Sequence, residues 1–200
     1  MNGKFFDLKK EKQDRMINAA LKMFALNGYR HASTDDMVRE AAISKGLLFH
    51  YFGSKLGVYT FVYDYSVRYM TLELNTTVSG KERDLFELFK QMELARLHAM
   101  RGYPYMQQFL NRSLSEDVSE VLLAVEGKRN DLLSVYDAIH RQADLNSLPA
   151  GVDGEKLWKM LDFTIKGLMT ERFQDASFQP DMLYQEIVDY LDMMKGLTSH

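Results

Sequence analysis

Apolar residues recur three or four positions apart along nearly the whole chain, and no stretch of useful length alternates with period two. That spacing puts one face of a helix against a core and leaves no pattern for a half-buried strand. Only 3 prolines and 12 glycines interrupt 200 residues, so long helices can run unbroken. The expected fold class is all-α. The length suffices to bury a core in one or two domains.

The helices can be placed by their caps. Ile17, Ala20, Leu21 and Phe24 form the stripe of a first helix, and Gly28 in "LNGY" is suited to closing it. Ser33 or Thr34 caps a short second helix with Asp35 and Asp36 in its first turn. "AAIS" makes a tight connection, Ser44 caps a third helix, and Gly53 ends it. Ser54 then starts a fourth helix over about 55–74. Further helices are expected near 82–101, 105–113, 117–144, 153–173 and 181–196, with "NTTVSGKERD" and "LNSLPAGVDG" as the main breaks.

Two short helices joined by a tight turn make a helix-turn-helix, whose second helix can enter the DNA major groove with its N-terminal residues facing base edges. The third helix, "SKGLLFHYF", has the composition for this. Leu48, Phe49 and Phe52 can hold it onto Ile17, Phe24 and Val38. Ser44, Lys45 and Leu47 fall on its first turn, where Lys45 can donate to guanine and Leu47 can pack on a thymine methyl. Gly46 lets the backbone approach the duplex closely. His50, Tyr51 and Lys55 can donate to phosphate oxygens. The charge distribution agrees: residues 1–60 hold 10 Lys and Arg against 6 Asp and Glu, whereas the remaining 140 hold 15 against 22. A basic N-terminal segment on an acidic body points to an anionic partner at that end.

Residues 12–59, through "INAALKMFALNGYRHASTDDM" and "REAAISKGLLFHYFGSK", resemble the DNA-binding domain of the TetR family of bacterial transcriptional regulators. The resemblance covers about a quarter of the chain. It implies an all-helical protein of about nine helices, with a DNA-binding domain over residues 1–54 (helix-turn-helix about 33–52) and a helical ligand-binding and dimerisation domain over 55–200. It implies a homodimer on a near-palindromic operator, most simply a repressor released by a small, mostly apolar or amphipathic effector. An activator or a co-repressed regulator would have the same fold. Carried over residue by residue, the family pattern assigns phosphate contacts to Thr34, Tyr51 and Lys55, and groove contacts to Ser44, Lys45, Gly46, Leu47 and His50. Three departures stand out. Ala42 occupies a turn position where the family often has glycine, Leu47 stands where Thr or Ser is frequent, and "Lys55-Leu56-Gly57" lacks the usual glutamate after the lysine.

The C-terminal part is rich in Met, Phe and Tyr. Most of these residues are core, and the implied effector pocket would draw on Phe89, Met92, Phe109, Tyr136 and Phe163. Trp158, Leu161, Ile165 and Leu168 form one stripe, and Leu183, Ile187, Leu191 and Met194 another. Each stripe covers either the chain's own core or a four-helix bundle with a second subunit, and the resemblance implies the second.

Enzyme chemistry finds no support: there is no phosphate loop of the G-x-x-x-x-G-K type and no G-x-S-x-G. The five histidines have no i, i+4 pair, and no cofactor or metal is expected. With no cysteine, no apolar run of the roughly 20 residues needed to span a bilayer and no secretory leader, a cytoplasmic protein without a membrane partner is expected. The remaining alternative is a helical interaction protein without a specific DNA site.

Overall fold

The computed structural model describes residues 3–175 and 177–198; His200 lies outside them. Ten α-helices and no strand occur among the described residues: α1 (Gly3–Phe6), α2 (Lys10–His31), α3 (Thr34–Glu40), α4 (Lys45–Phe52), α5 (Lys55–Thr77), α6 (Leu85–Gly102), α7 (Met106–Ser113), α8 (Ser119–Gln142), α9 (Gly154–Arg172) and α10 (Pro180–Thr198). A 3-10 turn at Leu145–Ser147 sits in the break before α9. The all-α expectation holds, and the helix absent from the sequence reading is α1. The chain forms two compact units, Met1–Tyr69 with Gly102–Leu132, and Met70–Arg101 with Leu133–His200.

In the first unit α2 supplies the central stripe. Ile17, Ala20, Leu21 and Phe24 are fully buried, with Met37 of α3, Leu48 of α4, Val58 and Tyr59 of α5 and Met106 and Phe109 of α7. Rings knit these elements: Phe24 lies 4.9 Å from Tyr59, and Tyr59 lies 5.3 Å from Phe109. Burying each such side chain stabilises by about 1.5–3 kcal/mol, so the short helices α3 and α4 are held by packing rather than by propensity. Gly28 has φ 66°, a backbone break within the span of α2 at the place foreseen for its end.

The turn between α3 and α4 is closed by two hydrogen bonds. The Ile43 amide donates to Val38 O at 3.0 Å, and the Ala42 amide donates to Arg39 O at 3.2 Å. This pairing is a Schellman motif, whose crossing residue normally adopts a left-handed conformation and is usually glycine. Here that residue is Ala42, at φ 52°. A Cβ in that region costs about 1 kcal/mol. Ala42→Gly is therefore expected to raise stability by about 0.5–1 kcal/mol, read as a higher urea midpoint with an unchanged slope. A lowered midpoint would remove the strain assigned to Ala42.

In the second unit α6 buries Leu85, Phe86, Leu88, Phe89, Met92, Ala95, Ala99 and Met100. Gln142 Nε2 donates to the carbonyls of Ser79 and Glu82, each at 2.7 Å, and fixes the loop before α6. Helices α9 and α10 are in contact and bury Leu157, Leu161, Ile165, Met169, Leu183, Ile187 and Leu191. Arg172 clamps Glu186 across them with two bonds of 2.7 and 2.6 Å.

The stripes expected at a subunit interface are largely buried within one chain. Leu161, Ile165, Leu183, Ile187 and Leu191 are covered within a single chain, and Trp158, Leu168 and Met194 are half-buried. The large apolar side chains that these helices expose are Met160 and Phe163 on α9 and Met182, Tyr190, Met193 and Leu197 on α10. Periodicity identifies a buried face but does not say what buries it.

Candidate nucleic-acid interface

Serine caps set the geometry of the three helices at the reading end. Ser33 Oγ accepts from the Asp36 amide and Ser44 Oγ from the Leu47 amide, both at 3.2 Å. Ser54 Oγ accepts from the Gly57 amide at 3.0 Å. Each satisfies an amide that the first helical turn leaves without an intrahelical partner. The cap of α3 is thus Ser33, and Thr34 is its first helical residue, half-buried. Gly53 ends α4 with φ 74°.

The first turn of α4 faces outward. Ser44, Lys45, Gly46 and His50 are exposed, Leu47 and Tyr51 are half-buried, and Leu48 turns into the core. A Cβ built at Gly46 would meet nothing within 4 Å, so the fold itself does not require glycine there. Lys45 Nζ lies 2.8 Å from Asp35 Oδ1 of α3, an exposed ion pair. Lys55 is held more firmly. Its ammonium donates to Arg30 O at 3.2 Å and stands 4.9 Å over the Tyr29 ring. Burial lowers its pKa, opposed by the nearby Glu116 carboxylate. The Tyr29 hydroxyl donates to Glu120 at 3.0 Å, and burial with that bond pushes it up to about 12.

Phe52 meets rings that the sequence reading did not name. Its ring meets Phe61 at 4.8 Å and Phe5 of α1 at 5.4 Å. Gly57 is also tied to α4, because a Cβ there would fall 1.8 Å from the Phe52 carbonyl oxygen. Neither Phe5 nor Gly57 was singled out for this role by periodicity. The only signal was a double phenylalanine in a segment otherwise rich in charge.

The expected effector-lining residues are dispersed. Phe89 and Met92 are buried in the second unit, and Phe89 lies 4.5 Å from Trp158. Tyr136 lies under the Arg96 guanidinium at 5.2 Å, and its hydroxyl accepts from Arg96 Nε at 3.4 Å. Phe109 is core of the first unit, and Phe163 is 63% exposed rather than turned into a pocket. Sequence reasoning missed Glu93, 2% exposed on α6 and paired with Arg96. Burial pushes the Glu93 carboxyl up, and the guanidinium opposes that shift. Among the described residues, no group of three or more His, Cys, Asp or Glu is placed to hold a metal ion, and no helix is long and apolar enough to cross a membrane.

A serine-capped helix-turn-helix with an outward-facing second helix is the arrangement in which DNA-binding proteins present a reading helix to the major groove. Residues 16–59 match the family described as bacterial regulatory proteins, tetR family. Over 174 residues, 86% of this chain and 80% of the relative, the sequence is 24% identical to the HTH-type transcriptional regulator SrpR of Pseudomonas putida. A 59-residue stretch is 41% identical to the uncharacterized HTH-type regulator YuxN of Bacillus subtilis, covering 28% of this chain and 20% of that one. Two solved structures share the fold. A TetR family regulator from Chloroflexus aurantiacus has a TM-score of 0.68 and 20% identity, covering 98% of this chain and 94% of its own. FadR from Bacillus subtilis, in complex with stearoyl-CoA, has a TM-score of 0.62 and 16% identity, covering 88% and 96%. The match places a tetR-type DNA-binding segment at residues 16–59, and over most of its length the chain is similar to a transcriptional regulator of the helix-turn-helix type.

Proposed function

We propose that the protein is a cytoplasmic, homodimeric repressor that binds a near-palindromic operator and releases it when a small effector binds. The observation that carries this reading is the exposed, capped first turn of α4, bearing Lys45 and Gly46. Ser44, Lys45, Gly46, Leu47 and His50 face the groove; Thr34, Tyr51 and Lys55 hold phosphates. Residues 1–54 act as the DNA-binding part and 55–200 as the effector and dimer part. Two heads are needed because half-sites about one helical turn apart match a two-fold dimer. The dimer surface is the outer face of α9 and α10, where Met160, Phe163, Met182, Tyr190, Met193 and Leu197 leave apolar area in water. Gly167, with open space at its Cβ position, allows a partner helix to approach that face.

The effector is mostly apolar or amphipathic. Phe89, Met92 and Tyr136 supply apolar contact, and the Arg96–Glu93 pair supplies a polar group to orient it. A protein of similar fold that holds stearoyl-CoA supports a ligand of this kind. An effector that prefers one separation of the two heads shifts the population towards it.

Selection of genomic fragments at near-physiological salt tests the reading, with enrichment of one near-palindrome as the expected result. Lys55→Ala is expected to weaken binding to all sequences and flatten the salt dependence by about one phosphate contact per head. Lys45→Ala is expected to relax discrimination at one base position by about 1–3 kcal/mol. An equal loss on every sequence for Lys45→Ala would remove it from base reading.

A further inference from the structure

The N-terminal segment is docked against the reading helix. Phe5 is completely buried, with its ring 4.8 Å from Phe61, 5.4 Å from Phe52 and 5.8 Å from Tyr51. Gln13, buried on α2, donates its one amide nitrogen to Phe6 O at 3.1 Å and to Leu8 O at 2.7 Å, which closes the turn between α1 and α2. Burying a phenylalanine is worth about 1.5–3 kcal/mol, which together with the two Gln13 bonds offsets part of the entropy lost in ordering the segment. Lys4, the neighbour of Phe5, is exposed. Its backbone is one residue from the ring that meets Tyr51 and Phe52 at the end of α4.

We propose that residues 3–9 are a second DNA-contacting element, anchored to the reading helix by Phe5 and delivering the Lys4 ammonium to the phosphate backbone beside Tyr51. The proposal rests on the DNA-binding reading above and extends it to a segment outside the helix-turn-helix. Its chemistry is that of a basic arm: sequence-independent affinity from phosphate neutralisation, with counterions released as the lysine docks. Docking makes it differ from a disordered basic tail. A lysine held in place loses little freedom on binding, whereas a loose one must be ordered at that moment.

The test uses the full-length protein and a fluorescent random-sequence duplex, titrated between about 50 and about 200 mM salt. Lys4→Ala removes one phosphate contact per head, so a dimer is expected to lose nearly two from its salt slope. Wild type's affinity advantage over Lys4→Ala should then shrink about tenfold across that range. An unchanged slope and affinity would overturn the proposal. Phe5→Ala, checked for folding by circular dichroism, tests the anchor. In that background Lys4→Ala is expected to have little further effect, because the arm is no longer held. If Lys4→Ala cost as much in the Phe5→Ala background as in wild type, Lys4 would be acting as an undirected charge and the docked arm would be ruled out. Failure of the wild type itself to bind any duplex would instead count against the DNA-binding reading.

Discussion

Replacing Gly57 with alanine is expected to destabilise the first unit by about 3 kcal/mol, at the upper end for an overpacked site. For a chain of this length that corresponds to a fall in Tm of roughly 6–12 °C. A Cβ at this position overlaps the Phe52 carbonyl oxygen, 1.8 Å away, and that oxygen is fixed because it accepts the Ser54 amide at 2.8 Å. A backbone atom cannot rotate aside as a side chain would, so the end of α4 must move off α5. DNA affinity should fall with stability, since α4 is the proposed reading helix. Gly46→Ala is the matched control: it has open space and should leave Tm unchanged or slightly raised. Thermal unfolding of both variants decides the matter, and a Gly57→Ala protein melting within about 2 °C of wild type would show that the α4–α5 junction yields easily.

The second large effect is expected at the Glu93–Arg96 pair. Removing one partner of a buried pair leaves the other charge uncompensated, which costs about 3–5 kcal/mol. Glu93→Leu is expected to show the full loss, because the Arg96 guanidinium cannot deprotonate. Arg96→Met differs, since a stranded carboxyl can take up a proton. Burial already pushes Glu93 up, and the variant removes the guanidinium that opposes it. A carboxyl whose folded pKa lies above its unfolded value favours the folded state below the ordinary glutamate range. That advantage is lost as pH rises through the folded value. Arg96→Met should therefore lie nearest to wild type in acid and fall away towards neutral pH, while Glu93→Leu shows no such trend. The double variant is expected to recover most of the loss, since apolar replacement of both members is often neutral or stabilising. Tm measured against pH for the three variants provides the check, and a double variant no better than either single one would contradict it.

Much of the reading end was legible in the sequence because caps and breaks are local chemistry. Ser44, Ser54 and Gly53 act within a few residues of themselves, and the structure finds them doing so. Ala42 was visible as a departure for the same reason. What stayed hidden depends on contacts distant in sequence. Phe5 meets Phe61 across 56 positions, and no local pattern marks such a pairing. The Glu93–Arg96 pair is three residues apart and looks like any surface pair on a helix; only burial changes its meaning. The stripes of α9 and α10 were correctly seen as apolar, but a period of 3.6 is the same whether the covering helix belongs to the chain or to a partner.

The ion pair between Lys45 and Asp35 has a bearing on how such a protein searches a genome. Under the proposed assignment the reading lysine starts out sheathed by a carboxylate of the neighbouring helix. Engaging a guanine is then an exchange of partners rather than the gain of one, and its small cost, about 0.2–1 kcal/mol for an exposed pair, falls on every sequence alike. Where the groove offers no matching acceptor the lysine can stay with Asp35, and the protein slides on held by its phosphate contacts alone. Only where the base edge competes successfully does the sheath open.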